Sequence, residues 1–221
     1  VLKIDVNKAY NHKRRKISIS CKAEILAGKT TAIYGKSGIG KTTVLRMISG
    51  LEKPDSGTLQ FGNNIWFNAK INKPIADRQI GMVFQEDNLF PNMTVEENLK
   101  YASGGKVEAS IYHYLKMVGF DGIRTSYPSE LSGGEKRYVS VVRSLCQKPK
   151  IVLLDEPFAG LDDDTIDFLI KSLKRLQKEV ALTILMVTHR KSILETMADE
   201  VIHMLTSESQ VQGTPNTIFK A

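Results

Sequence analysis

One stretch constrains this chain more than any other: Gly35-Lys36-Ser37-Gly38-Ile39-Gly40-Lys41-Thr42-Thr43. The apolar run Thr31-Ala32-Ile33-Tyr34 before it reads as a buried strand. Val44-Leu45-Arg46-Met47-Ile48 after it has helical apolar spacing and stops at Gly50. Strand, glycine loop and helix together are the context a phosphate-binding loop requires. The glycines let backbone N–H groups curl round an anion without Cβ clashes. The new helix aims its positive end at the same point. Lys41 adds a point charge for β- and γ-phosphates, and the Thr42 hydroxyl suits Mg²⁺. Nucleotide binding follows from that context.

A chain of 221 residues forms one large domain or a core with an inserted subdomain, and it buries a core without staples. A net charge of +7 implies an acidic partner, and nucleotide, anionic lipid and nucleic acid all qualify. Cys21 and Cys146 lie far apart, so buried free thiols are expected rather than a disulfide or zinc site. No run approaches the roughly 18 apolar residues of a membrane span. No signal-peptide pattern opens the chain, and a cytosolic setting is expected.

Residues 1–25 read as two strands joined around the basic run Asn11-His12-Lys13-Arg14-Arg15-Lys16. That run has no interleaved aromatics and reads as a solvated hairpin tip, not a nucleic-acid arm. Tyr10, just before it, is the aromatic to place near a bound base; an ordinary strand tyrosine is the other reading. Thr58-Leu59-Gln60-Phe61 and Ile65-Trp66-Phe67 form a hairpin, and a further strand, Ile80-Gly81-Met82-Val83-Phe84, ends at Gln85. Residues 86–148 then carry helical patterns at 95–102, 107–118 and 134–147, an inserted helical subdomain.

Ile151-Val152-Leu153-Leu154 is apolar at every position, as a parallel strand covered on both faces must be. An amphipathic helix follows over 163–178, then a strand over 180–187, a helix over 191–198 and a strand over 201–205. Strand–helix alternation around the glycine loop implies a largely parallel α/β sheet.

Three more stretches carry chemistry. Leu131-Ser132-Gly133-Gly134-Glu135 opens a helix and makes a second anion site without a lysine; a plain helix cap is its alternative. Asp155 and Glu156 stand where a buried strand leaves the sheet, the edge at which ligands of open parallel sheets bind. Asp155 suits Mg²⁺, and Glu156 suits polarising a water. Met186-Val187-Thr188-His189 ends another strand with an imidazole at the same edge.

With these in place, the chain resembles the ATP-binding subunit of an ABC transporter over essentially its whole length. The motifs occur in the family's order: Walker A at 35–43, the glutamine loop at Gln85, the signature at 131–135, Walker B at 151–156, the D-loop Ala159-Gly160-Leu161-Asp162 and the switch His189. Asn88-Leu89-Phe90-Pro91 and Thr94-Val95-Glu96-Glu97-Asn98 look like bacterial importers. The text of 31–43 and 84–91 is similar to importers of the molybdate and sulfate type. Such membership implies a P-loop NTPase core with a mostly parallel sheet, an N-terminal antiparallel β subdomain and an inserted α-helical subdomain. Residues 1–85 and 149–221 would form the core with its β subdomain, and residues 86–148 the helical part.

The resemblance also implies roles. Tyr10 stacks on adenine, and the 35–43 loop holds the phosphates of ATP. Gln85 contacts Mg²⁺ and the lytic water, His189 touches the γ-phosphate, and Glu156 is the general base. Ser132, Gly133 and Gly134 meet the γ-phosphate of ATP on a second ATPase subunit, so the pair is head-to-tail; Asp162 lies at the same junction. Transmembrane permease subunits are the implied partners, which places the chain on the inner face of the cell membrane. Four positions depart from the pattern: Glu135 where Gln is commoner, Tyr138 for Arg, Ala159 for Ser, and Arg190 where an acid is frequent.

Competing readings remain at this point. An ABC ATPase of a non-transport membrane complex, of the lipoprotein-release or division type, shares these motifs. A ribosome- or DNA-acting ABC protein would need tandem cassettes or long coiled-coil inserts. A kinase would lack the signature, and a GTPase needs an Asn-Lys-x-Asp motif that is missing.

Overall fold

The computed structural model describes residues 1–12, 15–86 and 88–219. Lys13 and Arg14, at the centre of the basic run read as a hairpin tip, lie outside the described residues.

Two sheets are built on either side of one helix. The first is antiparallel, in the order β2 (Arg15–Ile25), β1 (Leu2–His12), β4 (Ser56–Phe61), β5 (Asn64–Phe67). The second runs β10 (Gln210–Gly213), β9 (Glu200–Met204), β3 (Thr30–Tyr34), β8 (Thr183–Thr188), β7 (Ile151–Asp155), β6 (Ile80–Val83). All its neighbours pair in parallel except β10 with β9. Alternate residues of this sheet supply two cores. Ile33, Ile151, Leu153, Leu185 and Val187 face α1 (Lys41–Ser49) and the antiparallel sheet. Ala32, Val152, Leu154, Ile184 and Met186 face the other helices. Burial on both faces is why β7 and β8 read as unbroken apolar runs.

Three helices, α2 (Val95–Ala102), α3 (Ala109–Lys116) and α4 (Gly133–Leu145), lie between β6 and β7 in the chain. Thr94 caps α2 reciprocally with Glu97, which explains why its start is sharp. Tyr138, fully buried in α4, donates its Oη to the Tyr114 carbonyl at 3.0 Å and packs edge-on against Phe120. Burial pushes its phenol well above the usual tyrosine range. The substitution of an arginine position by tyrosine thus ties α4 to α3. Tyr138→Phe leaves that carbonyl unpaired and costs about 1–2 kcal/mol, read as a melting-temperature fall of about 2–8 °C. An unchanged melting temperature would show the bond contributes nothing.

Helix and strand ends shift by one or two residues from the sequence reading at several places, and most at the entry to β8. The strand expected over 180–187 starts at Thr183, because α5 (Asp163–Val180) runs on to Val180. Ala181, at φ 49°, terminates the helix, and Gln177 holds the turn by donating to the Leu182 carbonyl. Val180 packs against the core as the last turn of a helix rather than as a strand residue. Two short helices, α6 (Lys191–Met197) and α7 (Pro215–Phe219), follow β8 and β10.

Arg78 closes the far end of α1. Its side chain, 1% exposed, donates through Nη1 to the Met47 and Ile48 carbonyls at 2.8 Å each and through Nε to Lys73. Those carbonyls belong to the last turn of α1, where the Gly50 N–H reaches the Met47 carbonyl at 3.3 Å and a cation also meets the negative helix end. Burial lowers the guanidinium pKa to about 10, which leaves it charged at neutral pH. Gly50 makes room: a Cβ there would sit 2.9 Å from the guanidinium carbon, at φ 88°. Arg78→Met is expected to cost about 2–4 kcal/mol, seen as a lower denaturant midpoint. A midpoint equal to the parent's would remove Arg78 from this role.

Candidate functional site

Register brings the chemistry to one edge. Tyr34 pairs with Thr188, Asp155 with Val187, and Val83 with Leu154. Gly35, Glu156, His189 and Phe84-Gln85 therefore all leave the carboxyl edge of the parallel sheet. There a cleft of about 260 Å³ is lined by Ser37, Gly38, Gly40, Lys41, Thr42, Thr43, Gln85 and Glu156.

The loop before α1 is shaped by its contacts. Gly40 caps α1 at φ 112°, and a Cβ on it would meet Ile19 of β2 at 2.9 Å. Lys41, 6% exposed, folds back to donate to the Gly35 and Lys36 carbonyls at 3.0 and 3.1 Å. The ammonium thus lies against the loop's own carbonyls instead of extending into solvent. Thr42 Oγ1 donates to Asp155 Oδ1 at 3.0 Å. Burial raises the Asp155 pKa; the Thr42 bond opposes that shift, and the neighbouring Glu156 charge adds to it.

Glu156 sits at φ 47°, in the left-handed region, with its N–H donated to the Val187 carbonyl at 3.1 Å. A non-glycine residue there costs about 1–3 kcal/mol and marks sites where side-chain placement matters. Both carboxylate oxygens lie 3.1 Å from His189 Nδ1. An ionised carboxylate only accepts, so Nδ1 carries the proton in this contact. His189 is followed by Arg190, whose Nη2 pairs with Asp163 at 2.8 Å. The residue that departs from the acid of the pattern thus joins the His189 turn to the start of α5.

Gln85 is held through its backbone. Arg137, buried in α4, donates to the Phe84 and Gln85 carbonyls at 2.7 and 2.6 Å. Arg143 likewise donates to the Asn88 carbonyl and lies over the Phe90 ring, 4.6 Å from its centre. Neither arginine was singled out as a positioning residue by the sequence reading. The signs in the sequence were a cation inside the apolar stripe of α4, between buried Gly134 and Tyr138, and Arg143 standing where the family has arginine.

Other expected residues lie elsewhere. Ser132 caps α4: its Oγ accepts from Glu135 N and donates to the Glu135 carboxylate, which also accepts from Ser132 N. Ser132 and Gly134 border a separate hollow of about 340 Å³ with Thr165 and Phe168. Gly134 has to be glycine here, since a Cβ would sit 2.6 Å from Thr165. Gly133 is exposed, beside Leu161. Asp162 caps α5 by accepting from Thr165 N at 2.9 Å. Tyr10 is half-buried on β1, 5.7 Å from Lys8 Nζ and outside the lining of the P-loop cleft. One chain therefore keeps the Ser132 site and the P-loop cleft apart, with no lining residue in common.

No helix among the described residues is long and apolar enough to cross a membrane. No cluster of three or more His, Cys, Asp or Glu side chains with metal-holding geometry occurs among them.

Comparison with known proteins adds the family. A family model described as ABC transporter matches residues 20–159. The sulfate/thiosulfate import ATP-binding protein CysA 2 of Shewanella oneidensis is 37% identical over 90% of this chain and 58% of its own length. The spermidine/putrescine import ATP-binding protein PotA of Mesoplasma florum is 36% identical over 88% and 56%. The molybdenum import ATP-binding protein ModC of Aliivibrio fischeri is 32% identical over 99% and 60%. The chain thus spans under two thirds of the length of these curated relatives. Among solved structures, the cassette MJ0796, a dimer in a post-hydrolysis state with ADP and Pi, superposes with a TM-score of 0.79 at 27% identity, covering 97% and 99% of the two chains. CbiO1 of Clostridium perfringens, part of the cbiONQ complex, gives 0.80 at 30%, covering 99% and 90%. The α/β architecture and the sequence agree: the chain belongs to the ABC transporter family, as one of its ATP-binding cassettes.

Proposed function

We propose that the chain is the ATP-hydrolysing subunit of a membrane importer, working as a head-to-tail pair that encloses two ATP molecules. One observation carries this reading. Lys41, Thr42, Asp155, Glu156 and Gln85 converge on one carboxyl edge, while the Ser132 helix entrance faces a different hollow of the same chain. Two anion-binding helix entrances that share no lining residue fit a ligand completed by a second subunit.

In this reading the loop amides and Lys41 hold the β- and γ-phosphates. Magnesium would be held by Thr42 Oγ1 and the Asp155 carboxylate, with Gln85 beside them; hard oxygen donors 3.0 Å apart suit it. Bound there, it supplies positive charge against the phosphate oxygens. Glu156 takes a proton from the attacking water as its oxygen bonds to the γ-phosphorus and the bond to ADP breaks. His189 orients the Glu156 carboxylate through Nδ1. Tyr10 stacks on the base, and Ser132, Gly133, Gly134 and Asp162 act on the partner's nucleotide. Residues 86–148 move as a unit with Gln85, and that motion reaches permease subunits at the cytoplasmic face of the membrane.

The relatives named above import sulfate or thiosulfate, spermidine or putrescine, and molybdenum. That similar cassettes serve anionic and cationic cargoes supports a reading in which the partner subunits choose the cargo. Importers among the relatives favour uptake over a lipoprotein-release or division role. The test is turnover against protein concentration. Magnesium-dependent ATPase activity per subunit should rise with concentration until the pair saturates. Full turnover by a strictly monomeric species would overturn the proposal.

A further inference from the structure

A second cavity, about 560 Å³, lies well away from the P-loop cleft. Lys150 and Thr183 in its lining stand at the amino ends of β7 and β8, whereas the P-loop cleft opens at their carboxyl ends. Five strand residues separate the two edges, roughly 16 Å at the rise of a strand. The volume falls within the range of roughly 300–1,000 Å³ typical of small-molecule sites.

Its walls come from three parts of the fold. Phe61 belongs to the antiparallel sheet, Ile111 and Leu145 to α3 and α4, and Leu182 to the turn entering β8. Ile111, Leu145 and Leu182 are at most 5% exposed, so the floor is apolar. Lys106, Lys148 and Lys150 also line it, against a single carboxylate, Glu108. That carboxylate is already engaged by Lys148 Nζ at 2.7 Å, which leaves Lys106 and Lys150 in excess. Both lysines are exposed and hydrated, so a neutral apolar molecule would gain nothing from them, whereas an anionic head group would. A bare phosphate would leave the apolar floor uncovered.

We propose that this cavity binds a small amphiphilic carboxylate, with its apolar body on Phe61, Ile111, Leu145 and Leu182 and its head group at Lys106 and Lys150. Such a ligand would join the helices of residues 95–145 to both sheets, and so oppose or assist the rigid-body movement of one against the other. The site goes beyond the ATPase reading and is tested by binding, without turnover.

Cys146 lines the cavity and supplies the readout, since Cys21 is only 1% exposed and sits on β2. Burial raises the Cys146 thiol to about 11, so alkylation by iodoacetamide is followed at mildly alkaline pH. Decanoate below its micelle concentration should slow Cys146 alkylation roughly fivefold or more, while decanol at equal concentration should not. Lys106→Gln with Lys150→Gln should weaken that protection about tenfold. Ser110→Trp, at an exposed position in the wall, should abolish it without disturbing the core. Saturating MgATP should leave protection intact. Equal protection by decanol, no protection by decanoate, protection that survives either variant, or competition by ATP would each overturn the proposal, and none would bear on ATP hydrolysis.

Discussion

Glu156→Gln lowers steady-state ATP hydrolysis by roughly 10²–10⁴ while ATP affinity stays within a few-fold of the parent. That loss corresponds to about 3–5 kcal/mol of transition-state stabilisation. The change is clean because so little else depends on the lost charge. Glutamine has the same shape and accepts the Nδ1 proton of His189 through its amide oxygen, so the 3.1 Å contact survives. The backbone N–H of position 156 still donates to Val187, and a φ of 47° suits glutamine no worse than glutamate. Thr42 and Asp155 keep their bond, so the phosphate side of the cleft is unchanged. What disappears is the ability to take a proton from water. A pair that binds ATP, stays closed and fails to hydrolyse is the expected species, seen as an ATP-dependent dimer in size-exclusion chromatography. Hydrolysis near the parental rate would remove Glu156 from the role of base and leave His189 the next group to test.

How far the residues announced this arrangement depends on what kind of interaction makes each part. The P-loop was legible because its chemistry is local. Three glycines, a lysine and a threonine between a buried strand and a helix imply one backbone shape, and Gly40 at φ 112° has it. Helix α2 was legible because Thr94 and Glu97 write its start into four consecutive residues. β7 was legible because a strand covered on both faces can hold nothing but apolar side chains. The α5–β8 junction was misplaced because Val180 and Leu182 suit a helix turn and a strand equally, and a left-handed Ala181 carries no local signal. Arg78 and Arg137 were not legible as positioning groups for a different reason. Each is satisfied by main-chain carbonyls about 30 and 52 residues away, Met47 and Ile48 for the first and Phe84 and Gln85 for the second. A carbonyl has no residue type, so no pattern of side chains points to it. Likewise, the charges at 163 and 190 become partners only once β8 and α5 lie side by side.

Ser132→Arg should leave ATP binding to the single subunit unchanged and reduce turnover by roughly 10² or more, the weight of a lost anion-stabilising contact. Ser132 borders the hollow beside Thr165 and Phe168 and is absent from the lining of the P-loop cleft, so a cation placed there enters a different hollow from the one that holds its own Lys41. It can only fill the surface that a second subunit's phosphates are proposed to meet. Two side effects are separable. Arginine cannot cap α4, which costs about 1 kcal/mol and a melting-temperature fall of about 2–4 °C. The new cation also pairs with Glu135, whose carboxylate now accepts from Ser132. Ser132→Asn supplies the control, because asparagine restores the cap without the bulk or charge. If the serine site acts across the pair, Ser132→Arg remains monomeric with ATP even in the Glu156→Gln background, where the parent pair persists. Mixing Ser132→Arg with Lys41→Ala subunits separates the arrangements further. In a head-to-tail pair, one of the two mixed sites combines both lesions and the other keeps an intact P-loop and an intact serine, so activity returns in the mixture. Should ATP affinity of the isolated subunit fall with Ser132→Arg, or should the mixture stay silent, the serine loop would have to serve its own subunit's nucleotide instead.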